Sequence, residues 1–386
     1  MQTKLITAVQ AADGQYKIAP DELLQAAEYL HRGQLVVFPT ETVYGIGALV
    51  DQPAALREIF TVKGRPQDNP LILHVDSYAM LQRYVQPLNA EEKLLVDNFM
   101  PGPVTFILRR NQQVNDIITA GLDTVGIRMP GNVIARSLIT ACGAGIAAPS
   151  ANISGKPSPT ESKAVIDDFW QKVACIIDGG DSAFGVESTI LDLSRKPYHI
   201  LRPGAVSAAQ FNAILQANGY AAEVVEQHDY YLPNLKAADV PKAPGMKYRH
   251  YAPEAEVKIL RGSPAEMAKN LITLVNGKKA SAATAKIAVF VSRDLYAALP
   301  GAVQKQIDFP YFFEDYACNL KQLPHEELVE ADFSSSDKKA FQAANGLFQA
   351  LRQADRDQAA LILVEAVENM GIAQAYMNRL TKAETK

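Results

Sequence analysis

The sequence predicts an α/β protein built as two units. Three observations carry that expectation. Short runs rich in Val, Ile and Leu alternate with amphipathic stretches along most of the 386 residues, the order that builds sheets covered by helices. A hydrophobic content of 48% over that length suits about two cores better than one. Residues 223–253 lose sustained periodicity and carry Pro233, Pro241, Pro244 and Pro253, a linker composition. The expected division is a first domain over 1–222, a linker over 223–254 and a smaller second domain over 255–386.

Composition excludes several classes. No apolar run is long enough to span a bilayer, and Met1-Gln2-Thr3-Lys4 lacks the pattern of a secretory signal, so no membrane is expected and the chain is placed in the cytoplasm. The cysteines, Cys142, Cys175 and Cys318, lie far apart without a C-x-x-C, and the six histidines show no ligand spacing; no disulfide framework or structural metal is expected. A net charge of −4, with neither half basic, argues against bulk electrostatic gripping of nucleic acid. Any RNA contact has to be local and weak.

In chain order, 21–32 reads as a core-covering helix, with Leu23, Ala27 and Leu30 at helical spacing and Gly33 at its end. Residues 35–38 read as a buried strand, 39–42 as a polar turn, and 44–47 as a strand whose glycines admit close backbone approach. Asp51 is placed as the cap of a helix with Pro53 in its first turn, running through Phe60. That helix delivers Lys63-Gly64-Arg65-Pro66, followed by Asn69-Pro70. Two cations on a glycine turn held by proline make a compact anion clamp, a planar fork beside a point charge. Alone, such a pair is more often a solvated surface feature, so the clamp needs partners elsewhere.

In the strand 70–75, Leu71, Leu73 and Val75 share one face and His74 looks the other way, a histidine open to either a structural or a cleft-facing role. Two helices, the second starting near Asn89, lead to Pro101-Gly102-Pro103 and a strand over 104–108. The strand 124–128 ends on Arg128, at the kind of position where open α/β sheets place ligand groups; it is a candidate carboxylate partner or a surface ion pair. An apolar strand then ends in Pro149-Ser150-Ala151-Asn152, with Ser154, Gly155 and Ser158 after it, the short donors and exposed N–H groups that suit a phosphate or sugar pocket. Thr160 is placed as the cap of a helix to about Trp170, followed by strands over 173–177 and 190–193. Pro197 to Leu201 leads to Arg202-Pro203-Gly204, and a Ser207/Gln210 capping box opens a helix ending near Asn218-Gly219. In the second domain, strands are expected over 257–260, 287–291 and 360–364. Helices follow a Ser263/Glu266 capping box up to Gly277, and cover 338–352 and 372–380. This is a small Rossmann-like parallel domain without a G-x-G-x-x-G dinucleotide fingerprint.

Together these motifs resemble one family. Pro-Thr-Glu-Thr-x-Tyr-Gly at 39–45, Lys-Gly-Arg-Pro-x-x-Asn-Pro at 63–70, Gly-Ile-Arg-x-Pro at 126–130, Pro-Ser-Ala-Asn at 149–152, Glu-Ser-Thr at 187–189 and Arg-Pro-Gly at 202–204 resemble the threonylcarbamoyl-AMP synthases. Ala-Pro-Gly-Met-Lys-Tyr-Arg-His-Tyr-Ala-Pro at 243–253 is similar to the linker of the long, two-domain Sua5 form. The resemblance implies a YrdC-like catalytic domain, a twisted open mixed sheet with helices, joined to the smaller Rossmann-like parallel α/β domain. It implies a nucleotidyltransferase that converts L-threonine, bicarbonate or CO2, and ATP to threonylcarbamoyl-adenylate and pyrophosphate. Other proteins, a tRNA threonylcarbamoyl transferase complex, then use that product at position 37 of tRNAs reading codons that begin with A.

By the same resemblance Lys63, Arg65, Ser150 and Asn152 surround the nucleotide, Lys63 and Arg65 carrying the catalytic role, and Asn69, Thr124, Ser158 and Arg202 are further ATP contacts. Thr40, His74, Arg128 and Ser188 hold L-threonine, with Ala148 beside the pocket through its backbone. Mg²⁺ is expected on the triphosphate rather than in a protein cage. The linker reads as a lid: Lys247, Tyr248, Arg249, His250 and Tyr251 are unusual for a passive tether, Gly245 is a candidate hinge, and Tyr251, with Tyr248 as rival, is the candidate nucleotide contact. Two other classes are a carbamoyl-transfer enzyme, since hydrogenase-maturation proteins contain a similar domain, and a noncatalytic RNA-binding module.

Overall fold

The computed structural model describes the chain apart from residues 1, 12–15, 222, 227–239, 245, 248–250, 317–334, 369–370 and 386. Its larger sheet has eleven strands, in the spatial order Lys4–Thr7, Cys175–Asp178, Val36–Phe38, Gly45–Leu49, Ile146–Ala148, Ile72–His74, Thr124–Arg128, Val104–Arg109, Thr189–Asp192, Tyr198–Arg202 and Val224–Glu226. Parallel and antiparallel pairings mix along it, as expected of an open mixed sheet. The last strand, Val224–Glu226, pairs with Tyr198–Arg202 and so extends the sheet into residues that the sequence reading gave to the linker. The central strands are buried along their whole length, which is why they read as continuous apolar runs rather than as alternation. Gly47 is needed in this packing, because a Cβ there would sit 2.5 Å from Ile146 and 2.9 Å from Phe38.

The second sheet is fully parallel, in the order Glu256–Leu260, Leu361–Glu365, Ile287–Val291, Phe309–Phe312. Alternate residues serve two cores, since side chains in a strand point to opposite faces. Ile287, Val289, Val291, Leu361 and Leu363 pack beneath the helix Pro264–Ser281. Val257, Ile259, Ala288, Phe290, Ile362 and Val364 pack against the helices Ser335–Arg356 and Ile372–Ala383. That second core does not stop at the domain edge. It includes Val43, Val186 and Tyr251, so apolar burial is continuous from the second domain into the loops of the first.

Local signals place most elements, and three expectations need correction. The helix Pro53–Lys63 starts on its proline as expected, but its N-cap is Gln52 without a side-chain bond, not Asp51. The helix Ser162–Phe169 is preceded by Glu161, and Thr160 does not cap it: the Thr160 hydroxyl is buried and has no hydrogen-bond partner among the described residues. The helix opened by Ser263 and Glu266 continues past Gly277 to Ser281, because an exposed glycine inside a helix costs only about 1 kcal/mol relative to alanine. The helix Val133–Cys142 had no sequence assignment. Its ends nevertheless carry clear signals, Asn132 accepting from the Ala135 N–H and Gly143 in the left-handed conformation.

Candidate active site

One cleft gathers the motifs. The loop Thr40–Gly45, the end of the helix Pro53–Lys63, the ends of the strands Ile72–His74, Thr124–Arg128, Ile146–Ala148 and Tyr198–Arg202, and the segment before Thr189–Asp192 all open into it. It encloses about 720 Å³, part of it continuous with solvent. Of the residues singled out from sequence, Thr40, Lys63, Arg65, His74, Arg128, Ala148, Ser150, Asn152, Ser158, Ser188, Arg202 and Tyr251 line it. Asn69 and Thr124 do not. Both are buried; Thr124 pairs with Arg109 in the sheet, and Asn69 lies behind Arg65, its carbonyl accepting from the Arg65 Nε at 3.2 Å. Tyr248, Gly245, Arg249 and His250 lie outside the described residues.

The clamp is built from a helix end. Gly64 adopts φ +61° and caps Pro53–Lys63, a conformation glycine reaches without strain. The turn throws Lys63 and Arg65 toward the cleft. Lys63 is only 1% exposed, and its Nζ donates to the Ser150 carbonyl at 2.5 Å and to the Asn152 carbonyl. Burial, and then the neighbouring Arg65, hold its pKa well below the usual lysine range. Among the described residues Lys63 makes no ion pair; the opposite charge it feels is the Asp168 carboxylate, which is itself paired with Arg352 at 2.8 Å. Arg65 fixes its fork on the carbonyls of Asn69 and Pro70. Ser150 donates to the Asn152 Oδ1 at 2.6 Å, and the Asn152 amide donates to Ile153 and Lys156, which gives the loop a fixed shape.

The opposite wall is polar and already paired. The Arg128 guanidinium donates to Glu41 Oε1 at 2.5 Å, to Thr42 Oγ1 at 2.7 Å and to the Gly102 carbonyl at 3.3 Å. Burial alone would raise the Glu41 pKa, yet Arg128 keeps it below the usual range. Arg128 is thus a buried ion-pair partner, not a surface one, and two of the five N–H donors of its fork remain outside these bonds. His74 is buried; its Nδ1 donates to the Ile72 carbonyl at 3.2 Å. Burial and the Arg128 charge push its pKa down to about 3, so it works as a neutral ring. Thr40 anchors the loop, its hydroxyl bonded to the Val43 carbonyl at 2.6 Å, and Ser188 meets Thr105 at 2.8 Å and Arg202 at 3.1 Å.

Glu41, Thr42 and Glu187 lie inside the sequence motifs without a role of their own there. Glu187 lines the cleft, accepts from Ser158 at 2.6 Å and from Arg379 at 3.0 Å, and is held to about 2 by Arg379 and Arg202 against the upward push of burial. Their order inside polar motifs was the available signal. Linker residues close the cleft from above. Pro244 and Tyr251 line it, Ala243 and Met246 pack on Ile107, Ile190 and Leu201, and Lys247 pairs with Asp68 at 2.7 Å. Tyr251 sits at φ +65°, buried, its ring stacked on Phe348 at 5.1 Å. Burial first, and then the nearby Glu187 charge, raise its phenol well above the usual range.

Comparisons place this geometry among known proteins. Residues 28–204 match a family profile described as "Telomere recombination" (Sua5_yciO_yrdC), and residues 206–384 match "Threonylcarbamoyl-AMP synthase, C-terminal domain". A threonylcarbamoyl-AMP synthase of Pyrococcus abyssi is 39% identical over 93% of this chain and 92% of its own length. One from Bacillus subtilis is 35% identical over 94% and 92%. The crystal structure of Pyrococcus abyssi Sua5 complexed with L-threonine superposes with a TM-score of 0.81 at 37% identity, covering 99% of this chain and 97% of that one. The chain therefore belongs to the threonylcarbamoyl-AMP synthases, in their long two-domain Sua5 form.

Proposed function

We propose that the cleft binds ATP on the side of Lys63 and L-threonine on the side of Arg128, and joins them through CO2. Bicarbonate takes up a proton and releases CO2 and water; the neutral threonine amine attacks the CO2 carbon and gives up a proton to solvent, leaving a carbamate. A carbamate oxygen then attacks the α-phosphorus in line, the bond to pyrophosphate breaks, and threonylcarbamoyl-adenylate remains. Such a step depends on positioning and charge neutralisation more than on a strong base. The observation that carries the reading is Lys63: a buried amine that, among the described residues, bonds to two carbonyls of a cleft wall and to no carboxylate gains an anionic partner when a phosphate arrives.

On this reading Arg65, Ser150 and Asn152 complete the phosphate cradle, with Ser158, Arg202 and Tyr251 as further nucleotide contacts. Asn69 acts from behind by fixing Arg65, and Thr124 acts through the strand that ends in Arg128. The two unused donors of Arg128 take the threonine carboxylate, while Thr40, His74 and Ser188 surround its side chain and Ala148 contributes backbone. Among the described residues no group of three or more His, Cys, Asp or Glu could hold a metal. Mg²⁺ would enter on the ATP phosphates, where it would neutralise charge. The product passes to a tRNA-modifying transferase in the cytoplasm; no described helix is long and apolar enough to cross a membrane, and a direct tRNA contact is at most weak.

We read the linker that follows the strand Val224–Glu226 as a lid rather than a tether. Labile carbamate and adenylate must be kept from water and then released. Lys242, Lys247 and Ala252 tie the linker's described residues to Asp192, Asp68 and the Gly155 carbonyl of the first domain. Two variants separate the subsites. Arg65→Ala should weaken binding of a non-hydrolysable ATP analogue and leave threonine binding in place, and Ser188→Ala should do the reverse. Equal loss of both ligands in both variants would refute the division of the cleft.

A further inference from the structure

We propose that Arg379, supplied by the second domain, is a positioning residue for the nucleotide side of the cleft; the inference rests on the nucleotide reading given above. Arg379 lies in the helix Ile372–Ala383 and is 0% exposed. Its Nε donates to Glu187 Oε2 at 3.0 Å, its Nη1 to the Pro203 carbonyl at 2.5 Å and its Nη2 to the Glu187 carbonyl at 3.4 Å. The first domain therefore receives an arginine from outside, directed at a carboxylate that itself lines the cleft.

What distinguishes this contact from domain glue is where it leads. The other Glu187 oxygen accepts from Ser158, another cleft residue. Arg202, the second cation beside Glu187, spends its own fork on the Ser188 carbonyl and hydroxyl. Glu187 is thus shared between Arg379 and Arg202, with the Ser158 hydroxyl, Tyr251 and Lys382 around it. Remove Arg379 and the carboxylate keeps Arg202 and, more weakly, Lys382. It either draws Arg202 away from Ser188 or takes up a proton, and in both cases Ser158 loses a fixed, fully charged acceptor. Arg356 offers the contrast. It also crosses the domain boundary, pairing with Glu161 at 2.9 Å and Asp167 at 3.2 Å, but neither partner lines the cleft.

The test compares pyrophosphate release at varied ATP for Arg379→Met, Arg379→Lys, Glu187→Gln, the Met/Gln double variant and Arg356→Ala, in the full-length chain. Arg379→Met and Glu187→Gln should each raise KM for ATP about tenfold, with kcat at saturating ATP within about threefold. The double variant should be no worse than either single one, because both act through the same carboxylate. Arg379→Lys should recover most of the loss, and Arg356→Ala should match the parent. The pH profile is the second readout. In the parent, Glu187 stays ionised between about pH 5 and 8 while Lys382 beside it, pushed down by burial to about 7, titrates in that window; in Arg379→Met, KM should rise more steeply than in the parent as pH falls, since protonation of Glu187 then releases Ser158. Should Arg379→Met not fold, the lysine and glutamine variants and the pH profile carry the test. An unchanged KM in Glu187→Gln, or equal effects of Arg379→Met and Arg356→Ala, overturns the inference. Lys63→Met separates the two levels: if it too leaves KM for ATP unchanged, the nucleotide reading fails; if it raises KM while Glu187→Gln does not, only this inference fails.

Discussion

Replacing Lys63 by methionine tests the phosphate side of the cleft at its most constrained point. Methionine keeps an unbranched side chain of similar length, so the helix Pro53–Lys63 and the packing around it are retained. The ammonium is removed from between the carbonyls of Ser150 and Asn152, and the cleft loses a buried cation. A hydrogen bond from a charged donor contributes about 1.5–3 kcal/mol. Losing the order of the Ser150–Asn152 loop and the bond to an arriving phosphate together therefore costs about 3–6 kcal/mol, or roughly two to four decades in kcat/KM for ATP. Stability should fall little, because the same substitution removes a charge that burial disfavours. Pyrophosphate release with threonine and bicarbonate present, alongside a melting curve, reads both quantities. Arginine should not rescue, since a planar fork does not fit the narrow gap between two carbonyls that a 1% exposed ammonium fills. A Lys63→Met enzyme within about fivefold of the parent would refute the reasoning.

Arg65→Ala should lower pyrophosphate release more than tenfold with the fold intact, because one charged bond of about 1.5–3 kcal/mol to phosphate is lost; near-normal turnover would remove Arg65 from the site. Valine should be a poor substrate, since it leaves the donors around the threonine hydroxyl unpaired, and a competition assay with equal use of both amino acids would contradict the arrangement of Thr40, His74 and Ser188. His74 titrates near 3 in the folded chain and near 6.5 when unfolded. Its contribution to stability is complete above the unfolded value and is lost as pH falls from about 6.5 toward 3. His74→Asn should therefore lose less stability than the parent between about pH 7 and 4.5, and parallel urea midpoints would show that His74 is not a buried neutral ring. Tyr251→Ala, or truncation after Pro233, should slow synthesis without unfolding the first domain, and ATP with threonine should slow trypsin at Lys247. Unchanged cleavage together with full-rate synthesis would make the linker a tether.

The parts of the site legible in sequence are those whose chemistry is local. Lys63, Gly64 and Arg65 announce a cation pair on a helix end, and Ser150 to Asn152 announce short donors after a buried strand; the structure brings both to one cleft. Arg128 was legible as a strand-end cation but not as the partner of Glu41, because that pairing spans 87 residues and no local pattern encodes it. Arg379 left no signal at all. On a helix it reads as one more surface charge, and only the docking of two domains turns it inward. The second parallel sheet was readable from its apolar runs, whereas its edge strand Phe309–Phe312, half-buried and carrying a proline, lacks the alternation that marks a strand. Helix caps failed where no cap bond exists, at Gln52 and Glu161, since a helix packed on a core can start without one.

The most direct measurement incubates the protein with isotope-labelled bicarbonate, L-threonine, ATP and Mg²⁺, and identifies the nucleotide product by mass spectrometry at once, before it hydrolyses. The account predicts one adenylate that carries both threonine and the labelled carbon, formed together with pyrophosphate and absent when any of the three substrates is left out. ATP hydrolysis without such an adenylate, or an adenylate that forms without threonine, would contradict it.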